Sequence, residues 1–233
     1  MKIKTTLFAG LCMLLLMGLS TYGDITIKGK EHQDGFMGQP ATDTITEHYY
    51  GENHIRIKSD KSDMIFNMET GDVYAVDHEK QEYMLIDFDK MKEMTKQMKE
   101  MMGDMKVTVT DTGAKKEILG RECTEYVMAM DSSMMKMEMH MWNDTSIDLD
   151  KAKLEAYFRK MAMIQGMEDF MDEFLKMKGV TLAQERTMTV MGSEIAGSFT
   201  ATEVLTDKIP VEVFKIPSEY KKVEFNPMAL KQQ

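Results

Sequence analysis

Apolar positions fall on every second residue through most of the first third of the chain. Ile25 and Ile27 alternate with polar residues over Asp24–Lys30, and Ile55 and Ile57 alternate with His54, Arg56 and Lys58. Thr42–Tyr50 is β-branched and aromatic, and Met64–Met68, Val73–Asp77 and Glu82–Asp87 follow at short spacing. A period of two turns successive side chains to opposite faces of a strand. Turn-forming residues at 59–63, 69–72 and 78–80 separate these runs. The pattern predicts an antiparallel meander of about six strands.

At Phe88 the period becomes 3.6. Phe88, Met91, Met94, Met98, Met101, Met102 and Met105 form a stripe with Lys and Glu between them, and Gly103 ends it. A short strand over Lys106–Thr110 follows, and then a hairpin of Arg121–Met130 and Met134–Trp142 around 131–133. A second amphipathic helix is predicted over Asp150–Met177, striped by Tyr157, Phe158, Met161, Ile164, Phe170 and Phe174, bent at Gly166 and stopped at Gly179. Thr181–Met191 and Glu194–Thr206 pair across Gly192-Ser193. These elements predict an α+β fold. Its strongly curved antiparallel sheet, a half-open β-barrel, carries two amphipathic helices across its concave side, in one domain over 24–233.

The strictest alternation is Met135, Met137, Met139 and Met141 against Lys136, Glu138, His140 and Trp142, the only tryptophan. One strand face therefore carries a row of thioethers. Thioethers are soft ligands for Cu(I), and they are also flexible fillers of irregular apolar space. Three of the 28 methionines precede Asp24, and the remaining 25 stand beside only eight leucines. Methionine thus replaces leucine along the chain, which favours core or cavity lining over a dedicated metal site. For a metal, only the four methionines of that row could act together, joined by Met128 or Met130 of the hairpin partner.

Lys2, Lys4, an uncharged apolar run from Leu7 to Leu19 and small residues before Asp24 read as a secretory signal over 1–23, cleaved near Gly23. Export to the periplasm or outside the cell is expected, without stable membrane insertion. Beyond the signal Cys123 is the one cysteine, expected to be a buried, inert thiol. Removing the two lysines of the signal from 29 basic against 39 acidic residues leaves a net charge of −12. That excess excludes nucleic acid held by bulk electrostatics.

Gly120–Tyr126, the earlier Gly71–Asp77 with Glu82-Tyr83, and the closing Phe214–Lys221 resemble the motifs of the bacterial domain-of-unknown-function family 4412. That family is similar in layout to the periplasmic lipoprotein carriers. The resemblance implies a half-open barrel covered by helices, with acyl chains held inside. The chain departs from such carriers in its methionine content. It also shows no evident arginine to gate the cavity, since Arg56 reads as part of a solvated strand face.

No Gly-rich phosphate loop, nucleophile elbow or His-Glu-x-x-His stands in the sequence, and the five histidines are scattered. The expectation is therefore a binding protein, not an enzyme, without a cofactor. Its partner would be an apolar or lipid-like ligand in a cavity lined by Met91, Met94, Met98, Met135, Met137, Met139, Met141, Phe158, Met161, Phe170 and Phe174. The runners-up are a periplasmic soft-metal or oxidative-stress protein and a structural module with a filled core.

Overall fold

The computed structural model describes residues 24–36, 40–147, 151–190 and 192–226. The expected signal lies outside them. The meander is present: β1 (Ile25–Gln33), β2 (Thr42–Tyr50), β3 (His54–Ser59), β4 (Ser62–Asn67), β5 (Val73–Asp77) and β6 (Glu82–Leu85). Helix α1 (Phe88–Met102) leads into β7 (Lys106–Ile118), β8 (Arg121–Asp131) and β9 (Met135–Asp144). After α2 (Lys151–Gln165) and α3 (Met171–Phe174) come β10 (Val180–Val190), β11 (Ser193–Leu205) and β12 (Lys221–Lys222).

The twelve strands among the described residues form one sheet in the order β12-β6-β5-β4-β3-β2-β1-β11-β10-β9-β8-β7. Every pairing is antiparallel except β12 with β6. The order is open, with β12 and β7 at its two ends. The register carries one face across the sheet: Met128, Met139, Arg186, Gly197 and Gln33 stand opposite one another in sequence on five strands.

The helices lie on this face and the sheet bends round them. Tyr157 of α2 meets Phe66 of β4 edge-on, ring centroids 4.8 Å apart. Its neighbour Phe158 packs in the cluster of Met141 on β9. In a flat sheet β4 and β9 are six interstrand steps, about 29 Å, apart. A helix with its side chains is about 10–12 Å across, so only a curved sheet lets adjacent residues of one helix reach both.

The second helix is broken. Gly166 adopts φ +71°, Met167 N–H returns to Ala162 C=O at 2.7 Å, and a 3₁₀ turn at Glu168–Phe170 precedes α3. Three helical pieces thus replace the two expected, because a left-handed glycine ends a helix instead of bending it. α3 lies against the outer strand: Glu173 Oε2 accepts from Val109 N–H at 2.7 Å, occupying one backbone donor on that sheet edge.

Strand β7 runs eight residues past the expected Thr110, through a bulge between Asp111 and Lys115. Its 110–117 stretch is exposed and has no apolar alternation to announce it. The tail after β11 straps the far edge. Arg56 is only 8% exposed. It pairs with Asp63 and donates to Val213 C=O. His78 Nε2 stands 3.0 Å from the Asp63 carboxylate, and its Nδ1 meets Tyr220 Oη at 2.9 Å. Burial of a charge demands this pairing, and the strap that buries Arg56 lies about 157 residues away in sequence, so the solvated reading of Arg56 is corrected.

Leu119 and Gly120 join β7 to β8 with φ of 52° and 71°. Two positive φ values in a two-residue connection suit Asn-Gly, and leucine is strained there. Its side chain is 49% exposed, so it offers little packing in return. Leu119→Asn should raise stability by about 1 kcal/mol, measured as a higher urea midpoint at unchanged m-value.

Candidate functional site

Two filled cores occupy the helix-covered face. One joins β3–β6 with α1 and the Tyr157, Met161 and Ile164 side of α2. The other joins β7–β9 with α3 and the Phe158 and Ala162 side of α2. The strands between them raise little bulk toward the helix. Gly29 and Gly197 stand there, and Phe199 lies flat: a Cβ on Gly29 would fall 2.3 Å from its ring.

The result is a cavity of about 280 Å³ under α2. Tyr157 and Phe158 form its roof, Ile57 and Phe199 its apolar floor, and Met141 one wall. A polar vestibule of about 580 Å³ adjoins it, sharing Glu31 and Ile57 and reaching Thr46, Ile164 and Arg186. An apolar chamber with a few convergent polar groups is the usual form of a small-molecule site.

Three titratable side chains line the chamber in neutral form. His48 stacks on Phe199, centroids 5.1 Å apart and planes 15° from parallel. Burial lowers its pKa to about 4. Burial also pushes the Tyr50 hydroxyl up to about 12 and Tyr157 higher still. Desolvation disfavours each charged form, so at neutral pH the imidazole and the two hydroxyls are uncharged, with Glu31 at the border to the vestibule.

Charge stands in the vestibule. Arg186 Nη2 donates to Gln33 Oε1 and lies 3.9 Å from Glu31. The guanidinium reaches β1 because it lies across Gly197, where a Cβ would sit 2.7 Å from its Nε. Thr46 Oγ1, on the vestibule wall, is buried without a hydrogen-bond partner among the described residues.

A family model described as a domain of unknown function, DUF4412, matches residues 28–220. The chain belongs to the DUF4412 family. No curated protein is significantly similar to it. Among solved structures it is similar to PNGF-II, at 12% identity and a TM-score of 0.45; 90% of this chain is covered, and it spans 32% of that one. It is similar to a LolA superfamily protein from Nitrosomonas europaea at 6% identity and a TM-score of 0.34, covering 84% of this chain and 91% of that one. A putative outer membrane lipoprotein-sorting protein domain from Vibrio parahaemolyticus gives 7%, 0.36 and the same two coverages.

In this DUF4412 chain the eleven residues read as cavity lining divide. Met141 and Phe158 line the chamber. Met91, Met94 and Met161 pack in the core under α1. Met135, Met137, Met139, Phe170 and Phe174 pack in the core beside α3. The side chain of Met98 lies outside the described residues. Met135, Met137 and Met139 are half-buried and share the helix-covered face with Met141, while Lys136 and Glu138 are exposed. His140 stands outward between Glu125 and Glu138, at 2.9 and 3.1 Å, and both carboxylates raise its pKa. Cys123 is fully buried and its thiol is pushed up to about 11.

Sequence reading missed His48, Tyr50, Tyr157 as a chamber residue, Phe199 and Arg186. They come from β2, α2, β10 and β11, and only the strand order brings β2 within one strand of β11. No local signal marks them.

The buried His48 makes stability pH-dependent with a definite sign. The unfolded chain takes the proton near pH 6.5 and the folded one only near 4. Between those values the unfolded state holds more protons, so this contribution is complete above about 6.5 and is lost as pH falls toward 4. Urea midpoints of the wild type and His48→Phe should therefore diverge in favour of the variant as pH drops through that window. Parallel curves would refute a neutral buried imidazole.

Proposed function

We propose that the protein is an exported, non-catalytic carrier that binds an amphipathic, lipid-like molecule in the groove between sheet and α2, the sheet acting as a half-open barrel. The observation that carries this reading is the largely apolar chamber adjoining a more polar vestibule across Glu31 and Ile57. An apolar chain enters under Tyr157 and Phe158, and its head group stays in the vestibule near Arg186. The chamber alone is near the small end of ordinary ligand sites, about 300–1,000 Å³, so a ligand occupies both compartments. Binding without turnover fits the polar groups present. Among the described residues His48 has no carboxylate or hydroxyl partner to make it a general base, and it packs against a phenyl ring instead. The adaptable methionines beside the groove suit ligands of variable shape. No described helix is long and apolar enough to cross a membrane.

Dodecanoate and dodecanol test the reading. A ligand that binds only the folded state raises its stability, by about 2.7 kcal/mol at a hundred times Kd. Both compounds should raise Tm in a concentration-dependent way, with Kd in the micromolar range. Ile57→Phe, which adds bulk to the wall common to chamber and vestibule, should weaken both by about tenfold or more. Failure of either compound to shift Tm, or unchanged affinity in Ile57→Phe, would defeat the proposal.

A further inference from the structure

Methionine is not spread evenly through the folded protein. The core around Ile25, Ile27, Leu182 and Phe199 contains none: it is built from Ile, Val, Leu, Ala, Cys and aromatic residues. The core beside α3 contains ten, four of them buried. This chain therefore builds one core without thioethers and gathers them in the two cores that the helices cover, six in the core under α1 and more in the core beside α3.

The strand register sharpens the point. Met128 and Met130 of β8 stand directly opposite Met139 and Met137 of β9, and Met188 of β10 stands opposite Met137. Directly opposed residues on one face have Cβ atoms about 4.5–5.5 Å apart. Residues two apart along a strand are about 6.5 Å apart. Met128, Met130, Met137 and Met139 thus form a two-by-two block of long, flexible side chains, extended by Met188. The inner pair is nearly buried, Met130 at 3% and Met128 at 7% exposure. Met137, Met139 and Met188 are half-buried, which leaves the outer side of the block open. Arg186, opposite Met139, directs its guanidinium the other way, across Gly197 to Gln33.

We infer that this block is a thioether-only binding site for a soft monovalent cation, Cu(I) or Ag(I). Thioethers are soft donors that select such ions over Zn²⁺, Mg²⁺ or Ca²⁺, which take imidazole, carboxylate or thiolate ligands. The described residues contain no group of three or more His, Cys, Asp or Glu placed to hold a metal, so a hard or borderline ion has no comparable site among them. Two buried sulfurs fix the inner side of the coordination shell. The half-buried ones supply the remaining ligands and the entry path. The site is separate from the groove under α2 and does not depend on what the groove holds.

The test is a titration of the full mature chain with Ag(I), with X-ray absorption of the silver-loaded wild type. One equivalent should bind at submicromolar concentration, and the absorption spectrum should show a first shell of sulfur only. Met130→Leu/Met137→Leu/Met139→Leu keeps side-chain volume and removes sulfur, so Tm should change by only a few degrees. Its affinity for Ag(I) should fall by at least tenfold. The control Met64→Leu/Met84→Leu/Met94→Leu removes three thioethers from the other methionine-containing core and should bind as the wild type does. Absence of saturable binding, nitrogen or oxygen in the first shell, unchanged affinity in the first variant, or equal loss in the control would each overturn the assignment. The wild-type spectrum decides the matter even where the triple variant fails to fold.

Discussion

The reach of a single helix governs this structure. Tyr157 and Phe158 are neighbours on α2, yet one packs half-buried against Phe66 on β4 and the other half-buried beside Met141 on β9. A twelve-stranded sheet has no intrinsic reason to bring those strands together. Burying two aromatic side chains of about 150–250 Å² each supplies one. The curvature of the sheet, the separation of the two filled cores and the chamber between them all follow from that bridging contact. The chamber is what remains where the sheet bends under the helix and the central strands present Gly29, Gly197 and a flattened Phe199.

The polar groups follow the same logic of burial. His48 and Tyr50 come from the strand that passes under the bridge, and their pKa values move in the directions that keep them neutral. Arg186 is only partly enclosed and is held by Gln33 and Glu31 at the vestibule. Depth thus separates the uncharged imidazole and hydroxyls from Glu31 and Arg186 at the border and in the vestibule.

Much of the architecture was legible in the sequence because local periodicity is set by which face is buried. The first six strands, the β8–β9 hairpin and the parity of the methionine row read from alternation, and α1 from the change to a period of 3.6. Three features did not. The outer half of β7 is exposed on both faces and so has no alternation to show. The role of Arg56 depends on Asp63 and on a backbone carbonyl of the distant tail. The groove is assembled from β2, α2, β10 and β11, whose adjacency is a property of strand order. Composition showed methionine taking leucine's place but not where: one core has none, and the two cores under the helices share them.

The position of β1 has a kinetic consequence. The first strand is central, with β2 on one side and β11 on the other, so Thr26 pairs with Leu205. One seam of the sheet therefore closes between opposite ends of the chain. The meander of β2–β6 and the group β7–β11 can each form locally, but they join only when the last long strand has been delivered. Such non-local pairing places the rate-limiting step late and makes it slow, in the range of milliseconds to seconds typical of high-contact-order β-proteins.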